Sequence, residues 1–492
     1  MVTNDKTTFD ITQRVFYEVA KLAWNGELEE KKENLPEEMI PGPHAQYRCC
    51  IYREREIIRE RVRMARGMCP GTKDTTNIVQ VIPAACDDCP LSSYTVTDNC
   101  HGCLGHACYN SCRFGAISFS HDGNKNRAHI DPAKCKECGM CSRACPYGAI
   151  VDLVRPCKKA CPVGAITMDP ESGLCQIDES KCIQCGHCIH ACPFGAIGAK
   201  TFIVDVINMI RAGEKVYAMI APAVEGQYGK DITVDSWRAA LKKAGFADLL
   251  EVGLGGDLTA AAEADEWAEA MEAGEGKTTS CCPAFVNMSH KHFPELNDKI
   301  STTVSPMCAV SRMIKEKEPD AITVFIGPCQ AKKSEILDTS ISGNADYVLT
   351  FDEAFQMLQG KGIDLEPVEE FTQQASVFGK RFGNSAGVAG AVLQCMKEQG
   401  VDTSNLKVKV ANGAAECKTA LTLMKMGRLP EKFMEGMACE GGCVQGPSRQ
   451  RSLQELTKDR DAMIGRADKR EVHENLKMQD AEHVRMHRGE EV

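Results

Sequence analysis

Residues 135–150 read CKECGMCSRACPYGAI, and the spacing inside that stretch decides what kind of domain surrounds it. Cys135, Cys138, Cys141 and Cys145 fall in the order C-x2-C-x2-C-x3-C, with Pro146 directly after the last. A cubane of iron and sulfide needs thiolates at closely spaced corners. A tight loop of three cysteines wraps one face, while the fourth, before proline, reaches a neighbouring cluster. A zinc site usually shows two separated C-x2-C pairs, without the third close cysteine or the proline. The stretch therefore reads as a [4Fe-4S] motif. Cys182, Cys185, Cys188 and Cys192, followed by Pro193, repeat it.

The end of the stretch recurs as well. FGAI at 114–117, PYGAI at 146–150, PVGAI at 162–166 and PFGAI at 193–197 mark an internal repeat between about 81 and 200. Cys100, Cys103, Cys108 and Cys112 form a stretched version of the motif, C-x2-C-x4-C-x3-C, before the first of these endings. Together with the Cys135 run it resembles a bacterial two-cluster ferredoxin. That resemblance implies one cluster on Cys100, Cys103, Cys108 and Cys145, and another on Cys135, Cys138, Cys141 and Cys112, because the family exchanges its fourth ligands. A second ferredoxin-like unit starts at Cys157 and Cys161 but lacks the first two cysteines of its motif. Cys161 completes a third cluster with Cys182, Cys185 and Cys188. Cys157 and Cys192 are then left over, as are Cys86 and Cys89 in ACDDCP, so the accessory clusters number three or four. Cys49, Cys50, Cys69 and Cys175 show no partner spacing and read as unligated thiols.

Size and composition bound the rest. A chain of 492 residues exceeds one typical core and divides into two to four units. With 43% hydrophobic and 26% charged residues it is globular, not disordered. A formal net charge of -10 argues against nucleic acid and points to a small-molecule or protein partner. No stretch approaches the roughly 18 apolar residues of a membrane span, and MVTNDKTTFD lacks a secretory pattern, so the expectation is a cytoplasmic protein. There, 28 cysteines are metal ligands before they are disulfides. Twenty of them lie between Cys49 and Cys192 and eight between Cys281 and Cys443, which implies two kinds of module.

Residues 1–80 contain an amphipathic helix over Phe9 to Glu30 and a second helix in YREREIIRERVRMARG. From 201 to 450 apolar strands alternate with helical stretches: VYAMIAPAV, DSWRAALKKAG, ADLLEVGLGG, AITVFIGPC, ADYVLT and LKVKVANG. That alternation implies parallel sheets with helices packed on them. Residues 451–492 read as a charged helical tail. The expected architecture is thus an N-terminal helical segment (1–80), an α+β ferredoxin-like region (81–200), an α/β domain (201–450) and the tail.

Three motifs in the α/β part are short alone and specific together: TTSCCPAF (278–285), IGPCQAKKSE (326–335) and MACEGGCVQGP (437–447). Four cysteines from three loops suffice for a cubane. These motifs resemble those of the [FeFe] hydrogenases, over about 201 to 480 and down to REVHEN at 470–475. The resemblance implies a fold of two lobes with parallel sheets and a buried H-cluster between them. Its [4Fe-4S] part would be held by Cys282, Cys329, Cys439 and Cys443, and Cys443 would bridge to a two-iron subsite carrying CO, cyanide and a dithiolate. Cys281 matches the family's proton donor, a task that suits a thiol of ordinary pKa about 8.5. GGDLTAAAEADEWAEA matches the glutamate-bearing helix, which makes Glu266 and Glu263 relay acids, and ISTTVS supplies Ser301 as the hydroxyl between them. Lys332 matches a lysine that hydrogen-bonds a cyanide ligand. Ser305 aligns with a second cyanide partner, and Met437 with a residue packed on the two-iron subsite. Cys308, Cys395 and Cys417 read as buried apolar residues.

The chain departs from the best-known members at Phe285, where tryptophan is usual, at Gly327, where methionine precedes the proline, and at GPSR after the last cysteine. These changes remove no ligand and place it in a divergent, group B-like subgroup. The activity implied is the reversible reaction 2H+ + 2e- = H2, with accessory clusters relaying electrons to or from ferredoxin or a similar small carrier, after loading by hydrogenase maturation proteins. The alternatives are a non-catalytic, hydrogenase-like iron-sulfur assembly factor and a hydrogen sensor. A scaffold has no use for Cys281 and Lys332, and no signalling domain is visible.

Overall fold

The computed structural model describes residues 6–48, 50–71, 75–86, 89, 94–122, 125–169 and 171–490. Cys49 lies outside them. The repeated endings have a local cause. In each copy a five-residue helix (Ala107–Ser111, Met140–Ala144, Pro156–Ala160, His187–Ala191) leads to a cysteine, then a turn, then a strand. The turn needs a left-handed residue, supplied for example by Gly148 at φ 58°. It aims the following alanine amide back at the cysteine: Ala116 N–H donates to Cys112 Sγ at 3.4 Å, Ala149 to Cys145 at 3.4 Å, Ala165 to Cys161 at 3.2 Å and Ala196 to Cys192 at 3.3 Å. The G-A-I repeat is thus a sulfur cradle, and its isoleucines start strands with buried side chains. These strands pair antiparallel in two-stranded ribbons, among them Tyr94–Val96 with Ile150–Asp152 and Val79–Val81 with Ile197–Ala199.

The larger part contains two parallel sheets. One runs Asp248–Glu251, Val216–Ile220, Ile322–Gly327, Tyr347–Thr350 across the sheet, and the other Lys277–Thr278, Phe433–Met437, Val408–Asn412. Near-continuous apolar strands such as VYAMI and ITVFIG fit sheets covered on both faces.

ADLLEVGLGG is only partly a strand. The strand stops at Glu251, and VGLGG opens the long helix Val252–Glu272. Those glycines serve close packing: a Cβ on Gly255 would lie 2.1 Å from the carbonyl oxygen of Pro306, and one on Gly253 would lie 2.7 Å from Ala375 Cβ. The N-terminal helix spans Lys6–Asn25 and ends before Gly26, at φ 78°, with a separate short helix Leu28–Lys31 beyond it. It packs on helix Phe351–Gly360, where Trp24 Nε1 donates to the Met357 carbonyl at 3.0 Å.

Residues 453–490 are fastened to the core. Two helices, Leu453–Ile464 and Val472–Met478, bury Leu456, Val472 and Leu476. Asn475, in the REVHEN stretch, donates to Asp257 on the glycine-rich helix at 2.7 Å. Asp257 also takes the Ser376 amide at 2.8 Å, and burial pushes its pKa up to about 7.

Candidate metal and proton site

Parallel sheets offer crevices at the carboxyl ends of their strands. Cys329 follows strand Ile322–Gly327, and Cys439 follows Phe433–Met437. Cys443 opens a short 3-10 turn, and Cys282 precedes helix Pro283–His292 just beyond strand Lys277–Thr278. All four line one cavity of about 80 Å³, with Cys281, Lys332 and Met437 beside them. A single water needs roughly 10–15 Å³ on the same measure, so the space suits a larger group. Two departures from the usual motifs, Gly327 and Phe285, sit next in sequence to the lining residues Pro328 and Ala284. A Cβ on Gly327 would meet the Phe325 ring at 2.5 Å, and Phe285 fills the space over Gly436, where a Cβ would lie 2.4 Å from the ring.

Burial pushes the Cys329 thiol up to about 11, helped by the charge of Cys282, and Cys443 up to about 12, helped by Cys282 and Cys329. Cys439 rises further, from burial and then from Cys329, Cys282 and Cys443. Thiols that raise one another's pKa become thiolates together only around a multiply charged cation group. Among the described residues no three His, Cys, Asp or Glu gather tightly enough for one metal ion. With Zn–S near 2.3 Å, a zinc site would bring its sulfurs to about 3.8 Å of each other. The donor set fits a cubane.

Cys281 is 9% exposed and points into the same cavity. Its pKa is raised well above the ordinary range, first by burial and then by Glu263, Cys282 and Cys443. Glu263 is fully buried on helix Val252–Glu272, and one turn along the same helix Glu266 is 9% exposed; neither sits on a solvated face. Glu263 Oε1 accepts the Ser280 amide at 2.8 Å and the Ser280 hydroxyl at 3.3 Å. Oε2 is buried without a full hydrogen bond, with the Ser301 hydroxyl nearby. Burial, with Glu266 adding, pushes Glu263 up to about 8. Ser301 Oγ accepts the Thr303 amide at 3.1 Å, which leaves its proton free to donate. Glu266 accepts from the Thr302 amide at 2.9 Å and hydroxyl at 2.6 Å and lies 3.4 Å from His487 Nδ1, whose side chain is 45% exposed. Glu263 thus stands between Cys281, whose pKa its charge raises, and the Ser301 hydroxyl, while Thr303 Oγ1 donates to Glu266 Oε1 at 3.3 Å and Glu266 lies beside the half-exposed His487.

Lys332 is buried, and its ammonium donates to Glu335 Oε2 at 2.6 Å and to the Cys281 carbonyl at 3.4 Å. Burial works to lower its pKa, but Glu335 outweighs that and raises it. Ser305 does not line the cavity among the described contacts. It caps helix Pro306–Lys317, accepting the Cys308 amide at 3.5 Å, while the next two residues, Pro306 and Met307, form the wall.

The accessory thiols gather in the expected sets. Cys108 is raised by burial and by Cys145 and Cys103, and Cys141 by burial and by Cys135 and Cys112, which puts the fourth cysteine of each half near the thiols of the other. Cys185 is raised by burial and by Cys182 and Cys161. Cys89 is raised by burial and by Cys192, Cys157 and Cys86, which brings the four leftover thiols together. Cys175 joins this last set as a fifth thiol. Its amide donates to Cys86 Sγ at 3.3 Å, and its thiol hydrogen-bonds Cys157, which that contact lowers to about 7. Cys69 instead hydrogen-bonds Thr75, and Cys308, Cys395 and Cys417 are buried in the core. Glu335, Ser280, Thr302 and His487 are partners that sequence reading missed; Glu335, three residues beyond Lys332 on one helix, had a spacing that could have found it, and the other three are far in sequence from the glutamates they hold.

The sequence profile described as "Iron only hydrogenase large subunit, C-terminal domain" matches residues 214–447, and "4Fe-4S dicluster domain" matches 99–149 and 155–196. The chain is 31% identical to the periplasmic [Fe] hydrogenase large subunit of Nitratidesulfovibrio vulgaris over 64% of its own length and 85% of that protein. It is 28% identical to iron hydrogenase 1 of Clostridium pasteurianum over 51% of itself and 53% of that enzyme, about half the relative's length. A weaker similarity, 26% over 34% of the chain and 45% of the relative, links it to the cytosolic iron-sulfur assembly component 3 of Rattus norvegicus.

Proposed function

Because this chain belongs to the iron-only hydrogenase family and carries ferredoxin-like 4Fe-4S domains, we propose that it is a working hydrogenase that interconverts protons and H2. Cys282, Cys329, Cys439 and Cys443 would hold the cubane, and Cys443 would bridge to the two-iron subsite. When bound, that subsite supplies an open iron position where electrons and protons combine. The protein supplies everything around it. Lys332 offers a buried ammonium, oriented by Glu335, to an anionic ligand in the cavity. Met437 closes the apolar wall. Cys281 holds a proton at Sγ, kept there by burial. Glu263, protonated at neutral pH, replaces it, and Ser301, Glu266 and His487 refill Glu263 from solvent. Four accessory [4Fe-4S] clusters relay electrons to a ferredoxin-like carrier. The many reduced thiols favour a cytoplasmic setting, although one relative is named periplasmic. No described helix is long and apolar enough to cross a membrane.

The observation that carries this reading is the buried Cys281 thiol, backed by a proton path that an assembly scaffold would not need. The test is H2 production from a chemical reductant by the maturated protein. Fully loaded protein that neither makes nor consumes H2 would return the assembly-factor reading.

A further inference from the structure

One side chain stands where the relay meets the catalytic thiols. The loop of the third accessory set carries Cys185 and Cys188 on either side of Gly186 and His187, and Cys185 lines the catalytic cavity. The loop is pressed against two catalytic motifs. Gly186 sits at φ 77°, and a Cβ there would lie 3.0 Å from Gln330 Cγ and 3.4 Å from Pro447 Cγ. Gln330 follows the ligand Cys329, and Pro447 ends the Cys439–Cys443 loop. With no room for a side chain at 186, the next residue is aimed across the junction: His187 Nε2 lies 3.9 Å from Cys439 Sγ. The other C-x2-C-x2-C copy has Met140 at this position, 40% exposed and away from the catalytic half. Of these two copies, the one that abuts the catalytic thiols carries a ring donor.

We propose that His187 bridges the relay and the catalytic cubane, donating Nε2–H to the Cys439 sulfur. Hydrogen bonds to cluster sulfurs stabilise the extra negative charge of the reduced state and so raise the reduction potential. The same contact gives an electron a route of one residue and one hydrogen bond from Cys188 to Cys439. His187 therefore eases delivery of the electron into the site as well as its passage there. The inference rests on Cys439 being a ligand of the catalytic cubane.

The test is infrared-monitored redox titration of the maturated protein, in which CO and cyanide bands shift as the cubane changes charge. His187→Leu should keep the bands and the iron content but move the cubane couple to a more negative potential. His187→Gln, whose amide is a donor of similar reach, should recover most of the shift. A cubane potential in His187→Leu equal to the wild type overturns the proposal, as does a shift that His187→Gln leaves fully in place. If the leucine variant does not assemble, His187→Asn, too short to reach Cys439, takes its place with the same two outcomes. Absence of CO and cyanide bands in the wild type defeats the hydrogenase reading instead, so the two failures are distinct.

Discussion

The relay and the catalytic site both gather buried thiols, but they do so at different ranges of sequence. In the relay a cysteine is positioned by its own loop, as when the Ala149 amide four residues on holds Cys145. In the catalytic half Cys282, Cys329, Cys439 and Cys443 come from three strand ends of two sheets. The first arrangement tolerates replacement of single cysteines one set at a time. The second ties metal binding to the whole α/β scaffold, and sets beside it a buried ammonium, Lys332, and a buried carboxyl, Glu263.

That contrast is broken most severely at Cys281. Cys281→Ala removes the proton donor and leaves every proposed ligand, so turnover should fall by roughly a hundred- to ten-thousand-fold while electrons still enter the clusters. H2 assays alongside infrared confirmation of an intact site check this, and near-normal turnover would refute the role. Lys332→Ala should come next. The subsite should be lost or poorly retained while the cubane thiols stay in place, read as weak CO and cyanide bands with about four irons still at the catalytic thiols.

A milder change sharpens the relay side. Cys192→Ala should cost one accessory cluster, about four irons, and leave the catalytic bands unchanged. Loss of the catalytic bands would show that the regions are not independent.

The smallest expected effect is on stability. Glu263 titrates near 8 in the fold against an ordinary 4.5, so the folded state holds a proton that the unfolded chain has lost. Stability should therefore fall as pH rises from 4.5 towards 8 and level off above. Glu263→Gln cannot ionise and should flatten that slope, melting higher than the wild type at pH 8 relative to pH 5 while slowing turnover. An unchanged pH profile of melting would mean that Glu263 is charged in the fold.

What the sequence disclosed follows the same division. The 4Fe-4S motifs and the three motifs of the α/β half were legible because ligand spacing is local or the motifs are distinctive. Strand and helix alternation indicated parallel sheets for the same reason. Cys175 showed no partner in the sequence because Cys86 and Cys157, which it hydrogen-bonds, lie 89 and 18 residues away and meet it only through the folded ribbons. Why a helix should open on VGLGG was not legible, because glycine usually breaks helices, and only the approach of Pro306 and Gly379 explains it. Glu263 and Glu266 were legible as candidates, but Ser280 and His487, which contact them, come from segments that no periodicity connects.

The most direct test of the central claim is infrared spectroscopy of the maturated protein combined with an iron count. Sharp CO and cyanide bands, in a region where no protein group absorbs, are expected on a chain holding about twenty irons in five cubanes besides the subsite. The full complement of cubanes with no such bands, after maturation that loads a known hydrogenase in parallel, would contradict the account.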